Sequence, residues 1–513
     1  MTAPTPPAPP GHRAPGTVAT APAPPARRAP GTVATTWIDE NAPVLTGLAD
    51  RIWGYAEPSL REWRSALATA ELLRTHGFTI SWGTAGLPAA FVATSGDSGP
   101  VLGFNVEYDA LPGLSQRAGV PRHEPTAFEG DEYAPAYGHG HGCGHNALAA
   151  ASTGAAIAAA RALRGRATVK VFASTGEEQL VGKAYAVRDG AYDGLDAFLD
   201  WHPAPVTGTG WDVTSALYSA TFSFLGSPGH GSNPLGTRSG LDGVLLLTGM
   251  IERLRAGNVS PSGRIGYAIG GGGAPNVTPD LQTLWVYVRE GTHERARTLY
   301  DKVVACAGAA AVASRTRLEH RLVTAIREGL GNRAGAELLH HTMSELGPPA
   351  FTDADHAFAV RLQEAIGRPG SGLAAGVLPL RPPAEPDLGG PSSDTSEVSW
   401  TAPHLSLTAA VVPIGVPLHS WAATAATGTT IAHAGLLAAA RYLAAAAVTL
   451  VEQPETLAAV RQEFAARERG PGPLPAGAEP PYHLPPPAFL EETGQSARPI
   501  RTPPVSAELL GKI

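Results

Sequence analysis

The stretch Gly140-His141-Gly142-Cys143-Gly144-His145-Asn146 places a thiol and two imidazoles close together on glycine-rich backbone. Cys143 and His145 are two residues apart, so on an extended or turning chain both can point to one side, and the glycines permit dihedrals other residues resist. Thiolate with imidazole favours zinc or a neighbouring transition ion over magnesium or calcium. By itself a Cys-x-His pair reads equally well as a structural thiol beside a helix-capping histidine. Two further stretches shift that balance. Glu177-Glu178 follow an apolar run through Gly176, and His202 follows another. One carboxylate of the pair can bind metal while its neighbour, facing the other way, takes the proton of an activated water. Asp109, at the end of a third apolar run, suits acceptance from the far nitrogen of a ligating histidine, which fixes the tautomer.

These residues need elements that bring them together. Val101 to Val106, Ala167 to Ala173 and Leu195 to Leu199 read as buried strands delivering Asp109, Glu177-Glu178 and His202, and the alanine-rich run Ala147 to Arg164 reads as a helix. Ligands of open α/β sheets bind beyond the strand ends, so three successive ends with chemistry define one site edge. Residues 113–139 form a long loop before the Cys/His stretch. The pattern predicts an α/β catalytic domain, a central mixed sheet flanked by helices, over 37–215 and 327–450. An inserted α+β domain with two helices and about four strands occupies 216–326. Val398-Ser399-Trp400 looks strand-like, Leu405 to Val412 reads as the last core strand leading to His419, and Thr429 to Val448 as a closing helix. The Pro-rich ends, 1–36 with its duplicated RAPGTVAT and 470–513, are expected to be tails without a fold.

The 513 residues carry 38 Lys+Arg against 45 Asp+Glu, a formal charge of -7, with no clustered basic stripe, which argues against nucleic acid as a partner. No apolar run approaches the roughly 20 residues that cross a bilayer, and the start lacks a signal-peptide core, so a cytoplasmic protein without a membrane partner is expected. Cys143 and Cys306 are the only cysteines, and no disulfide framework is indicated. Cys306, in an apolar helical run, reads as a buried packing thiol.

With these residues in view, the chain resembles the zinc aminoacylase and glutamate-carboxypeptidase group of metallopeptidases, within it the bacterial p-aminobenzoyl-glutamate hydrolase type. The matching stretches are EYDALPGLSQ (Glu107 to Gln116), GHGCGHN (Gly140 to Asn146), Gly176-Glu177-Glu178, Trp201-His202-Pro203, Pro228-Gly229-His230, Pro275 to Asp280, Ser392-Ser393-Asp394 with Val398-Ser399-Trp400, and His419-Ser420-Trp421. They run in family order across roughly residues 37 to 445. The resemblance implies two divalent metal ions, zinc or manganese, held by Cys143, His145, Glu178, His202 and His419, with Glu177 as general base. It implies a small amide substrate whose carboxylate is held by Asn276 and Arg289. It further implies a homodimer through the inserted lid, in which His230 reaches the partner's active site to stabilise the oxyanion. Many members carry histidine where Glu107 stands and aspartate in place of Cys143, and His139 adds an imidazole able to replace a neighbouring ligand. The rival readings are a non-catalytic binding protein that keeps the fold, and a structural zinc site. The second would need a closed four-ligand set, typically with Cys-x-x-Cys pairs that this chain lacks.

Overall fold

The computed structural model describes residues 32–496 apart from 130–135, 212–213, 234–235, 258, 272, 381–389 and 468–469. The expected N-terminal tail up to residue 31 and the last residues from 497 lie outside that range.

Four parallel strands make the middle of a seven-stranded sheet, in the order Thr168–Ser174, Val101–Glu107, Ala197–Ala204 and His404–Ala410. Antiparallel strands close both edges, Thr79–Trp82 and Phe91–Ser95 on one side and Gly208–Thr209 on the other, so the sheet is mixed. The central strands are buried along almost their whole length, as expected where helices cover both faces. The helices His145–Ala162 and Thr430–Glu452 pack together within this core. Their alanine-rich surfaces permit a close approach while keeping high helix propensity.

Thr430–Glu452 corrects one sequence expectation. By length and composition it could cross a membrane, with a mean hydropathy of 1.7, yet 78% of its apolar window is buried inside the protein. The alanine run is core, and its small side chains make it look less apolar than it is.

Between Ala216 and Ile326 the chain builds a second, four-stranded antiparallel sheet in the order Arg264–Gly270, Leu281–Glu290, Ala216–Leu225 and Arg317–Ile326. Helices Gly240–Gly257 and His293–Ser314 cover one face and bury a separate apolar core of Phe222, Phe224, Leu247, Val286 and Val303. Cys306 is half-buried at the margin of that core, more exposed than expected.

Three other expectations are corrected. The first helix starts at Thr32, inside the second RAPGTVAT copy, because Ala34, Trp37 and Ile38 share one buried face. Val398-Ser399-Trp400 is not a strand: Thr395–Val398 is a short helix whose Val398 is fully buried. The C-terminal stretch 470–496 is packed rather than free. Its helix Pro487–Thr493 inserts Phe489, 2% exposed, between Trp63 and Trp82 at ring distances of 5.2 and 5.6 Å.

Candidate metal centre and substrate cleft

The C-terminal ends of the four parallel strands deliver Glu107 and Asp109, Glu177 and Glu178, His202, and finally His419. The Cys143 loop lies beside them, at the start of the His145–Ala162 helix. Gly144 makes that turn possible. Its φ is +89, and a Cβ there would meet Pro203 Cβ at 2.8 Å, so only glycine lets Cys143 and His145 approach the strand that carries His202. The His419 loop is tied on by the His419 N–H donating to Gly142 O at 2.9 Å.

Cys143, His145 and His202 offer donor atoms within 4.8 Å of one another, and so do Cys143, Glu178 and His419. Cys143 belongs to both groups. Its Sγ lies 3.4 Å from His202 Nε2, and His419 Nε2 lies 3.5 Å from Glu178 Oε2. A third group joins Glu107, His145 and Glu177.

Hydrogen bonds prepare the imidazoles. His145 Nδ1–H donates to Asp109 Oδ1 at 3.0 Å, and His202 Nδ1–H donates to Pro203 O at 2.8 Å. Both rings therefore turn Nε2 toward the cluster. Asp109 also accepts from Ser59 Oγ at 2.7 Å and from the Glu178 N–H at 2.9 Å. Burial pushes its carboxyl up, but these donors, His145 foremost, hold it down at about 2.

Burying several acids and imidazoles together shifts their proton affinities. Burial pushes the Cys143 thiol and the Glu177 carboxyl well up, and lifts Glu178 to about 7. Burial alone would lower His145, yet Cys143 and Asp109 hold it well above its ordinary value. Burial brings His419 down to about 4. Without bound cations, burial favours the protonated forms of Cys143, Glu177 and Glu178. His145 Nε2 and Glu178 Oε1 are buried and have no hydrogen-bond partner. Orphaned donors of this soft and borderline set fit divalent cations, which would take the place of the protons.

Behind the cluster lies a network that the sequence did not reveal. Lys183, fully buried, reaches Glu107 Oε2 at 2.6 Å and Asp394 Oδ1 at 2.7 Å. Asn105 bridges Glu107 and Asp200 at 3.1 and 2.8 Å. Glu107 is thus clamped with Oε1 left 3.5 Å from His145 Nε2. Glu107 and Asp394 lie within the matched stretches, but nothing in the sequence marks Lys183, in the short helix Gly182–Arg188, as their shared cation.

Other candidates fall differently. His139 pairs with Glu129 at 2.8 Å and belongs to none of the three groups. His141 turns away to Ile52 O at 3.0 Å. Arg289, on the inserted sheet, is largely buried with Nε unpartnered, and its charge is felt at His419. His230 and Asn276 are exposed, and the side-chain bonds of His230 stay within its own loop, at Ser232. Within one chain the structure does not bring these two to the cluster.

The inserted sheet faces the centre across a cavity of about 590 Å³, lined by Glu178 on one domain and by Trp285 and Tyr287 on the other. Tyr287 OH donates to Glu178 O at 3.2 Å, joining lid strand to site loop. Three non-glycine residues with left-handed backbone flank the site: Leu60 at φ 67, Leu180 at φ 60 and His419 at φ 58. Such conformations cost about 1–3 kcal/mol each and persist where packing over-determines them, commonly at functional sites.

A cluster of candidate metal ligands lies at the strand ends of a mixed α/β sheet and faces an inserted α+β domain, and the chain's relatives place it among the amidohydrolases and peptidases. The chain belongs to the zinc aminoacylase and glutamate-carboxypeptidase family, in its p-aminobenzoyl-glutamate hydrolase branch. It is 33% identical over 449 residues to one of the subunits of the p-aminobenzoyl-glutamate hydrolase of Escherichia coli (strain K12), covering 82% of this chain and 91% of that protein. Human Xaa-Arg dipeptidase is 26% identical over 303 residues, 55% of this chain and 63% of that one. A solved candidate aminohydrolase from methicillin-resistant Staphylococcus aureus superposes with a TM-score of 0.53 over 82% of this chain and 99% of its own, at 17% identity, and so speaks to fold alone. No family model matches the sequence.

Proposed function

We propose that this hydrolase cleaves the amide bond of a small N-acyl amino acid, aminobenzoyl-glutamate-like or dipeptide-like substrate, and depends on two divalent ions, zinc or manganese. The observation that carries the reading is the sharing of Cys143 between two ligand groups with Glu177 beside them. Cys143, His145 and His202 would hold one ion, and Cys143, Glu178 and His419 the other. When bound, the ions supply Lewis acidity, polarising the amide carbonyl and acidifying water.

The chain's own residues do the rest. Glu177 accepts a proton from the attacking water and delivers it to the leaving nitrogen as the C–N bond breaks, leaving a carboxylate and an amine. Burial and the neighbouring Glu107 raise its proton affinity in the metal-free chain, and bound cations would lower it again, which suits a group that must both take and return a proton. Asp109 fixes His145 in the tautomer that presents Nε2. Arg289 and, from the lid of a second copy in a homodimer, Asn276 hold the substrate carboxylate, and His230 acts from that same partner lid. The exposure of His230 and Asn276 supports that arrangement, since an exposed lid edge is free to meet a partner.

Hydrolysis of a panel of N-acyl amino acids and dipeptides by protein reconstituted separately with zinc and manganese tests the reading. Turnover dependent on one of these ions is expected. Binding of the panel without hydrolysis under either ion would contradict it.

A further inference from the structure

The cavity that Glu178 lines also holds Arg61, and Arg61 has no carboxylate partner among the described residues. Its Nη2 donates to Nδ1 of His483, 422 residues away, at 3.3 Å. Partial burial, then the adjacent guanidinium, holds His483 below its ordinary range, and its Nδ1 accepts from Arg61 without supplying a counter-charge. The other charged groups lining the cavity are Glu178 of the cluster and Glu129, which is paired with His139.

Both residues are exposed at the cavity rim, on segments that are firmly anchored. The Glu57–Arg61 turn is pinned to the site by the Ala110 N–H donating to Glu57 O at 2.8 Å, and the left-handed Leu60 just before Arg61 is 3% exposed in the junction core. His483 is carried by the C-terminal stretch, which Leu474 anchors in the same core. Glu479 O accepts from Tyr185 OH at 3.2 Å and from lid residue Arg321 at 3.4 Å, and Phe489 is sunk between two tryptophans. Across the cavity stand Trp285, whose indole N–H donates to Ser219 Oγ at 2.8 Å, and Tyr287.

We propose that Arg61, oriented by His483 of the C-terminal stretch, forms an anion subsite in the cleft that takes a second carboxylate of the substrate, distinct from the one at Arg289. The C-terminal stretch thereby completes the cleft, and the aromatic wall opposite accommodates an aryl or other flat group between the anion and the scissile bond. The subsite rests on the amidohydrolase reading of the centre.

The test compares two matched pairs on the metal-loaded full chain: N-(4-aminobenzoyl)-glutamate with N-(4-aminobenzoyl)-glutamine, and N-(4-carboxybenzoyl)-alanine with N-(4-carbamoylbenzoyl)-alanine. Loss of a charge-assisted bidentate contact predicts that Arg61→Ala shrinks the KM preference for the extra carboxylate in one pair by roughly ten- to a hundredfold. Arg61→Lys should restore part of it. His483→Ala should give a smaller loss of the same sign, and His483→Asn, which keeps an acceptor, should recover it. An unchanged preference in both pairs, or equal KM changes within each pair, would overturn the subsite. If the wild type hydrolyses none of the four, turnover of the N-acyl amino acid and dipeptide panel decides the amidohydrolase reading separately. Calorimetric binding of the same compounds then decides the subsite by the same Arg61→Ala comparison.

Discussion

Cys143 Sγ lies 3.4 Å from His202 Nε2, and the same sulfur completes a second donor group with Glu178 and His419. One side chain therefore links two prospective ion positions. Cys143→Ala should remove most of both ions rather than one, read by elemental analysis after gel filtration. His202→Ala should spare the other position more. Retention of full metal content by Cys143→Ala would remove the shared-ligand assignment.

Metal uptake should release protons, because burial pushes the Cys143 thiol up and lifts Glu178 to about 7 in the bare chain. Calorimetric titration in buffers of different ionisation enthalpy reads this directly. Affinity should rise with pH between about 6 and 8 as the competing protons leave. A binding enthalpy independent of buffer would contradict the protonation pattern.

The Lys183 clamp predicts a stability effect. Lys183→Met leaves Glu107 and Asp394 facing each other, fully buried, with their shared cation gone. Breaking a buried pair from one side costs about 3–5 kcal/mol, so a marked fall in the urea midpoint is expected. The double variant Lys183→Met with Asp394→Asn should recover part of the loss. A midpoint unchanged by Lys183→Met would show the network to be dispensable.

Glu62 supplies a pH signature in the metal-free protein. It is fully buried, accepts from Thr175 Oγ1 and from the Gly176 N–H, and so braces the turn before Glu177. Burial, then the Asp109 charge, raises its carboxyl from 4.5 to about 8. Between those values the folded state keeps a proton that the unfolded chain has lost, so the contribution of Glu62 is full below pH 4.5 and fades as pH rises toward 8. Glu62→Gln cannot titrate. The Tm of the wild type minus that of Glu62→Gln should therefore fall from about pH 5 to about pH 8. A flat difference would mean that Glu62 is ionised in the folded chain.

The side-chain cluster and the sheet that carries it were legible because Asp109, Glu177, Glu178 and His202 each follow a short apolar run, and consecutive parallel strands align such ends. The same logic fails for Lys183 with Asp394 and for Arg61 with His483. Those pairs join residues 211 and 422 positions apart whose local context is an ordinary helix or loop. The C-terminal stretch was misread for a different reason. Its composition suits a tail, but one phenylalanine in a slot between Trp63 and Trp82 is enough to dock it, and composition does not reveal a slot. The Val398 stretch misled because a short buried helix and a short buried strand are equally apolar.

The proposed chemistry stands most directly on Glu177. Glu177→Gln keeps the shape and removes the proton acceptor without touching Cys143, Glu178 or His419. Metal content and hydrolysis of N-(4-aminobenzoyl)-glutamate, measured on the same preparation, decide the matter. Wild-type metal content is expected, with turnover down by roughly a hundred- to ten-thousandfold. Full turnover by that variant would contradict the role of Glu177 as the base.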